Sequence, residues 1–155
     1  RIMETLDFNE NLTILIDYSH TTNATLNVFN FLTKVKKKRI ISVVGCAGGR
    51  YKDKRKEIGK IVSDYSDIAI FTMDDPRNEK ITNIFKDMLE NVDKDNIFLY
   101  KNRKKAINKA LKLAKKDDIV IILGKGRDSY MAIKNKHKKY SDIKVIERFF
   151  HKKTE

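Results

Sequence analysis

The chain has 155 residues, with 34 Lys and Arg against 21 Asp and Glu, so its formal net charge is +13. This length suits one globular domain with its own core. The single cysteine excludes an intrachain disulfide and favours a reducing compartment, the cytoplasm. Because no signal peptide is visible and no apolar run approaches the roughly twenty residues of a membrane helix, we expect no membrane partner. A first residue other than Met suggests a processed product or a fragment.

The hydrophobic pattern predicts strands that alternate with amphipathic helices. The chain opens with two strands joined by a turn at residues 9–11, and helices then separate the strands. In chain order the predicted strands are residues 3–8, 12–17, 39–45, 67–73, 96–100 and 118–123. The predicted helices are residues 22–36, 54–65, 78–92, 103–115 and 141–151.

This alternation determines the fold class. Continuous apolar strands between amphipathic helices indicate a parallel sheet that is covered on both faces. We therefore predict an α/β, Rossmann-like doubly wound fold with a mainly parallel sheet and an N-terminal antiparallel hairpin strand. The sequence contains no internal repeat, low-complexity stretch or Pro/Gly linker, so residues 1–155 are predicted to form a single domain.

The basic residues cluster at residues 34–39, 52–56, 101–116 and 134–139. In the third cluster the lysines surround an apolar stripe that includes Ile107 and Leu111, which is typical of a solvated helix face. A dedicated nucleic-acid surface would interleave exposed aromatic residues with the basic ones. We therefore expect an ordinary Lys-rich surface and no nucleic-acid partner. A free-standing basic module that binds RNA or DNA is the alternative from a different class.

Four unusual loops directly follow predicted strands: D-Y-S-H-T at residues 17–21, G-C-A-G-G-R at 45–50, D-D-P-R at 74–77 and G-K-G-R-D at 124–128. In doubly wound folds the ligand binds beyond the carboxyl ends of the strands, so these loops should converge. Each has an ordinary explanation by itself; Asp75, for example, could cap a helix that begins at Pro76. Together their carboxylates, guanidinium groups and bare backbone amides suit a zwitterionic or phosphorylated ligand.

Other familiar chemical sites are missing from the sequence. It contains neither a G-x-G-x-x-G nor a G-x-x-x-x-G-K-[ST] phosphate loop. The three histidines have no neighbours at metal-ligand spacing, so we predict no metal site. We interpret Cys46 as a small residue in a buried turn and not as a nucleophile, although an adjacent basic loop would lower the pKa of its thiol. The sequence therefore predicts recognition of a small molecule and no complete catalytic site.

Taken together, the four loops resemble the carboxyl-terminal domain of the Mur ligases, and in particular of the UDP-N-acetylmuramoyl-dipeptide:diamino-acid ligases. The family segments D-Y-A-H-T-P, G-C-G-G-D-R-D-K-G-K-R, D-N-P-R and G-K-G-H-E are matched in order by D-Y-S-H-T-T, G-C-A-G-G-R-Y-K-D-K-R, D-D-P-R and G-K-G-R-D. Residues 1–4 resemble the end of the family's G-R-x-E segment. The resemblance covers essentially the whole chain.

The resemblance implies an ATP-dependent, amide-forming ligase of peptidoglycan synthesis. In this family ATP phosphorylates the D-glutamyl γ-carboxylate of UDP-MurNAc-L-Ala-D-Glu, and the amine of a diamino acid then attacks the acyl phosphate. The N-terminal UDP-binding domain and the central ATP-binding domain, which carries the Mg²⁺ ligands, would be absent from this chain. The chain would then be the amino-acid-binding third of a monomeric enzyme and would be inactive alone.

The resemblance also assigns the site residues, none of them catalytic and none a metal ligand. The residues expected to bind the diamino acid are Arg50, Asp74, Asp75, Arg77, Gly124 and Asp128. The residues expected to bind ATP are Arg1, Asp17, Tyr18 and His20.

Departures from the family pattern bear on the substrate. Arg77 retains the residue that can neutralise the distal carboxylate of meso-diaminopimelate. The acidic residues of the site differ from the family pattern, with Asp75 in place of Asn and Asp128 in place of Glu. The added charge of Asp75 favours lysine, whose distal end carries an ammonium group and no carboxylate. We expect a meso-diaminopimelate-like substrate, with lysine as the alternative. The D-D-P-R segment argues against a folylpolyglutamate synthetase-like ligase.

Overall fold

The computed structural model describes residues 3–154, and the side chains of residues 3–151. Strands and helices alternate along most of this range. The strands are β1 (Glu4–Leu6), β2 (Thr13–Asp17), β3 (Ile40–Val44), β4 (Ile68–Phe71), β5 (Ile97–Leu99), β6 (Ile119–Leu123), β7 (Tyr130–Ile133) and β8 (Lys136–Lys139). The helices are α1 (Thr22–Val35), α2 (Lys52–Tyr65), α3 (Ile81–Leu89), α4 (Arg103–Leu113) and α5 (Asp142–Thr154).

Six of the strands form one sheet in the order β1-β2-β6-β3-β4-β5. All neighbouring pairs are parallel except β1 and β2, which pair antiparallel with Thr5 opposite Leu15. The chain runs outward from β3 to β5 and then returns through α4 to insert β6 between β2 and β3. The predicted doubly wound class and its N-terminal hairpin strand are confirmed. The carboxyl ends of β2, β6, β3 and β4 therefore lie side by side.

The core lies on both faces of this sheet, as the continuous apolar strands require. All five residues of β6 are buried, and they alternate between the two faces. Ile121 shares one cluster with Met88 of α3, together with residues of α1 and α2. Val120 belongs to the other cluster with Ile107 of α4 and Ile146 of α5. Each fully buried side chain of this kind contributes roughly 1.5–3 kcal/mol to folding.

Two sequence predictions are wrong. Residues 118–123 are not the last strand, because β7 and β8 form a separate antiparallel hairpin. Asp75 and Pro76 do not start a helix: α3 begins at Ile81, and Asp75 has a positive φ of 42° in place of the extended backbone usual at an N-cap. Within the described residues, no helix is both long and apolar enough to cross a membrane.

Candidate functional site

A cleft of about 430 Å³ opens beside the loops that follow β2, β3 and β4, at the carboxyl edge of the sheet. Its volume lies in the range of ordinary small-molecule sites. The first turns of α2 and the start of β7 complete its walls. The lining residues are Ser19, His20, Val44, Gly45, Cys46, Ala47, Arg50, Tyr51, Lys54, Arg55, Ile58, Asp75, Arg77 and Tyr130.

The D-D-P-R loop is held in a strained conformation by β7. Asp75 and Arg77 both have left-handed backbones, with φ of 42° and 52°, a region in which non-glycine residues cost about 1–3 kcal/mol each. The Arg77 N–H donates to the carbonyl of Ala132 at 3.0 Å, and the Ala132 N–H donates to Oδ1 of Asp75 at 2.8 Å. The hairpin that the sequence did not reveal therefore fixes the loop that presents Arg77.

The loops after β3 and β4 are also joined to each other. Nη1 of Arg77 donates to the carbonyl of Gly48 at 3.1 Å, and the Gly48 N–H donates to the carbonyl of Asp75 at 3.0 Å. A Cβ atom at Gly48 would lie 1.8 Å from the carbonyl oxygen of Pro76, so only glycine allows this approach. The guanidinium of Arg77 is thus oriented by a backbone carbonyl of the neighbouring loop.

An ion pair between the buried Arg55 and the half-buried Glu79 supports the G-C-A-G-G-R loop. Both terminal nitrogens of Arg55 contact the carboxylate of Glu79 at 2.7 Å, and Nη2 also donates to the carbonyl of Ala47 at 2.9 Å. Glu79 in turn accepts from the N–H of Gly49 at 2.9 Å. The hydrogen bond from Arg55 lowers the pKa of Glu79 to about 2. The carboxylate therefore stays charged at neutral pH and fixes the loop that carries Arg50.

Lys125 reaches the D-D-P-R loop from the loop after β6. Its Nζ lies 2.5 Å from Oδ1 of Asp75 and 3.8 Å from Oδ1 of Asp74, and its side chain is only 1% exposed. Burial tends to raise the pKa of Asp75, but hydrogen bonds from the Ala132 N–H and from Lys125 outweigh burial and lower it. Asp75 is therefore a charged carboxylate whose charge is paired inside the protein.

His20 and Asp74 connect the first loop to the third. Oδ2 of Asp74 lies 3.3 Å from Nε2 of His20, and the Asp74 side chain is almost completely buried. Neither oxygen of Asp74 has a hydrogen-bond partner of good geometry in the part of the chain that the structure describes. The carboxylate raises the pKa of His20, although burial acts in the opposite direction. A protonated His20 is favoured because it supplies a cation to this buried carboxylate.

The remaining residues of the loops after β2 and β6 lie beside the cleft. The carboxylate of Asp17 is only 4% exposed and accepts hydrogen bonds from the N–H and hydroxyl of Ser19. The Tyr18 hydroxyl accepts from the N–H of Arg127 at 2.8 Å. A Cβ at Gly126, whose φ is 52°, would lie 2.3 Å from the Tyr18 ring, so this glycine allows the loops after β2 and β6 to pack closely.

The structure brings part of the predicted site together. Among the residues expected to bind the diamino acid, Arg50, Asp75 and Arg77 line the cleft, while Asp74 and Gly124 are buried behind it. Asp128 is half-buried and does not line this cleft.

The residues expected to bind ATP are more dispersed. His20 lines the cleft, whereas Asp17 and Tyr18 do not. Arg1 lies outside the described residues. The predicted lowering of the Cys46 pKa is wrong, because burial raises the pKa of this thiol to about 12.

Sequence reasoning missed several residues that shape the cleft. Lys125 belongs to the G-K-G-R-D loop, but no role was predicted for it from the sequence. Tyr130 belongs to a strand that was not predicted. Tyr51 and Lys54 lie at the start of α2, within the G-C-A-G-G-R-Y-K-D-K-R segment, but were not predicted to line the site. The G-K-G spacing was a signal for Lys125, because a lysine between two flexible residues at a strand end is well placed to reach inward.

Comparison with known proteins identifies the family. A model of the Mur ligase glutamate ligase domain matches residues 3–126. The chain belongs to the Mur ligase family. Membership accounts for the four loops, for which the alternative of a free-standing nucleic-acid-binding module offers no explanation.

Three relatives of this Mur ligase domain share one name. A UDP-N-acetylmuramoyl-L-alanyl-D-glutamate–2,6-diaminopimelate ligase from Clostridium botulinum is 39% identical over 92% of this chain and 30% of its own length. The ligase of the same name from Aquifex aeolicus is 40% identical over 89% of this chain and 29% of its own length. A solved structure of a ligase with this name superposes with a TM-score of 0.93 at 26% identity, over 99% of this chain and 32% of that one. The Mur ligase domain therefore spans about 30% of the length of these relatives.

Proposed function

We propose that this Mur ligase domain binds the diamino acid in an ATP-dependent ligase that extends UDP-MurNAc-L-Ala-D-Glu during peptidoglycan synthesis, and that the diamino acid is meso-diaminopimelate. The observation that carries the proposal is the placement of Arg50 and Arg77 in one cleft beside Asp75. The relatives named for 2,6-diaminopimelate support the same substrate.

The chemistry of the cleft suits a diamino diacid. A guanidinium group can bind a carboxylate through two parallel hydrogen bonds, so Arg77 and Arg50 would recognise the carboxylates of the substrate. The carboxylates of Asp74 and Asp128 would bind the ammonium group of the substrate once closure of the domains completes the site. The carbonyl of Gly124 could accept a further hydrogen bond from that ammonium group. L-lysine, which has a single carboxylate, would use only part of this set.

The nucleotide would approach from the loop after β2. His20 is the cation of this loop that lines the cleft, and Asp17, Tyr18 and Arg1 belong to the same proposed ATP-binding set. ATP supplies the phosphoryl group that activates the D-glutamyl carboxylate. From the family resemblance, the Mg²⁺ ligands are proposed to lie in the central domain.

The complete enzyme would contain two further domains, which bind UDP-MurNAc-dipeptide and ATP. We propose that it is a cytoplasmic monomer and that the amino-acid site is completed when the domains close. Closure would bring the amine of the diamino acid to the activated carboxylate and exclude water from the acyl phosphate.

A substrate assay of the complete ligase that carries this chain tests the proposal. The enzyme is incubated with ATP, UDP-MurNAc-L-Ala-D-Glu and either meso-diaminopimelate, L-lysine or L-ornithine, and the product is identified by mass. We expect the tripeptide with meso-diaminopimelate, and a kcat/KM at least about tenfold above that for lysine. A preference for lysine would contradict the substrate assignment. Failure to incorporate any diamino acid would contradict the function.

A further inference from the structure

Lys125 is a fully buried lysine with a fixed position. Lysine is almost never fully buried unless it is paired, because removing an ammonium group from water is costly. Here Nζ contacts Oδ1 of Asp75 at 2.5 Å and lies 5.1 Å from the centre of the Tyr130 ring, on its face. The residue does not line the cleft, so any effect on a ligand must pass through the residues that it contacts.

The pairing changes what Asp75 presents to a ligand. An unpaired carboxylate at this position would repel a second substrate carboxylate and attract an ammonium group. With Lys125 in contact, the two side chains form a neutral pair, and the positive charges of Arg50, Lys54 and Arg77 dominate the lining of the cleft. The acidic residue in D-D-P-R therefore does not make this cleft acidic.

We propose that Lys125 is a positioning residue that sets the preference for a diamino diacid over lysine, by neutralising Asp75 and holding it in place. The inference rests on the proposed function and names the residue pair that determines its substrate class.

A continuous set of contacts links Lys125 to Arg77. Oδ1 of Asp75 accepts from Lys125 and from the N–H of Ala132, and the carbonyl of Ala132 accepts from the N–H of Arg77. Asp75 and Arg77 both have left-handed backbones, which these contacts must maintain. Loss of the Lys125 charge would therefore leave Asp75 repelling the distal carboxylate and would also loosen the loop that presents Arg77.

Three variants of the complete ligase separate charge compensation from a general structural role. Lys125→Met leaves Asp75 uncompensated, and Asp75→Asn leaves Lys125 with only the more distant carboxylate of Asp74 at 3.8 Å. The double variant Asp75→Asn/Lys125→Met restores a neutral pair with side chains of similar size. Lys139→Met is the matched control, since Lys139 is exposed on β8 and does not line this cleft. The measurement is kcat and KM for meso-diaminopimelate and for L-lysine.

For Lys125→Met we expect the ratio of kcat/KM for meso-diaminopimelate to that for lysine to fall at least about tenfold, mainly through a higher KM for the diacid. The double variant should recover most of the ratio, and Lys139→Met should keep it. Thermal unfolding identifies variants that do not fold. If Lys125→Met is among them, the double variant is the test, and its ratio should stay near that of wild type because the charge of Asp75 is removed together with that of Lys125.

The outcomes distinguish this inference from the function on which it rests. A folded Lys125→Met enzyme with an unchanged ratio, or a double variant whose ratio lies at least about tenfold below that of wild type, would overturn the role of Lys125 and leave the ligase function intact. A wild-type enzyme that incorporates no diamino acid would overturn both.

Discussion

Arg103 and Asp142 form a buried, bidentate ion pair that joins α4 to α5. Nε and Nη2 of Arg103 each lie 2.8 Å from one oxygen of Asp142, and the two side chains are 1% and 0% exposed. The other donors of Arg103 reach the carbonyls of Met73 and Leu123 at 3.0 Å. Since these carbonyls directly precede the D-D-P-R and G-K-G-R-D loops, the pair attaches α5 to the base of the candidate site.

Removal of Arg103 should strongly destabilise the chain. Arg103→Met would leave Asp142 buried without its cation, with the hydroxyl of Tyr140 as a remaining donor at 2.6 Å. We expect the free energy of unfolding in urea to fall by about 3–5 kcal/mol. Arg103→Met/Asp142→Asn should lose less, because no buried charge is left unpaired. Lys104→Met, an exposed position on the same helix, should change stability by no more than about 0.5 kcal/mol. Equal losses in Arg103→Met and Lys104→Met would refute a stabilising role for the pair.

Gly59 allows α2 and α3 to approach closely. A Cβ atom at this position would lie 1.9 Å from the carbonyl oxygen of Met88, a backbone atom that cannot rotate away. Helix propensity alone predicts that Gly59→Ala would stabilise α2 by up to about 1 kcal/mol. Because overpacking costs about 1–3 kcal/mol, we expect a net loss of roughly 1–2 kcal/mol in urea unfolding. The control is Lys56→Ala on the exposed part of α2, and a more stable Gly59→Ala chain would contradict the prediction.

The pair between His20 and Asp74 should make stability depend on pH. The pKa of His20 is raised in the folded state by the Asp74 carboxylate, with Asp75 acting in the same direction and Lys125 against it. A raised pKa means that the folded state binds the proton more tightly than the unfolded state does. The stabilisation is therefore complete below the unfolded pKa of about 6.5 and is lost as the pH rises through the folded pKa.

His20→Gln isolates this contribution from other titrating groups. The difference in the free energy of unfolding between wild type and His20→Gln should be largest near pH 6 or below, and should shrink towards about pH 9. Urea unfolding at several pH values measures it. His137→Gln is the control, since His137 is exposed on β8 and no ion pair is seen for it among the described residues. A difference that stays constant with pH, or grows as the pH rises, would show that Asp74 does not stabilise the imidazolium.

The predicted parts of the fold are those in which local pattern and tertiary packing agree. The five apolar residues of β6 could be assigned from sequence because a buried parallel strand needs continuous hydrophobicity. The hairpin of β7 and β8 could not be assigned from the sequence, because β8 is fully exposed and its residues show no apolar alternation. Its two-residue turn, with Lys134 at a φ of 53°, also lacks the glycine that marks most such turns.

In the candidate site, too, some features could be predicted from the sequence and others could not. The rule that ligands bind at the carboxyl ends of parallel strands was enough to predict that the four loops converge. The rule for helix starts failed at Asp75, because its carboxylate is bound by Lys125 and Ala132 and so cannot cap a helix. The burial of Lys125 depends on contacts between loops fifty residues apart, which no local pattern encodes.

Arg77 should carry most of the recognition of the distal carboxylate. In the complete ligase, Arg77→Ala would leave that carboxylate without its partner in a partly desolvated cleft. Such a loss costs about 2–5 kcal/mol in kcat/KM for meso-diaminopimelate. The reaction with lysine should change much less, because lysine has no carboxylate at its distal end.

One further variant determines whether the paired hydrogen bonds of the guanidinium or only its charge is needed. Arg77→Lys keeps the charge but loses the paired hydrogen bonds and the contact with the Gly48 carbonyl, so its kcat/KM should lie between those of wild type and Arg77→Ala. Arg127→Ala is the control, because Arg127 pairs with Glu4 and does not line the cleft. Unchanged kcat and KM for meso-diaminopimelate in Arg77→Ala would rule out the assignment, since a carboxylate left without its cation in this cleft must weaken binding.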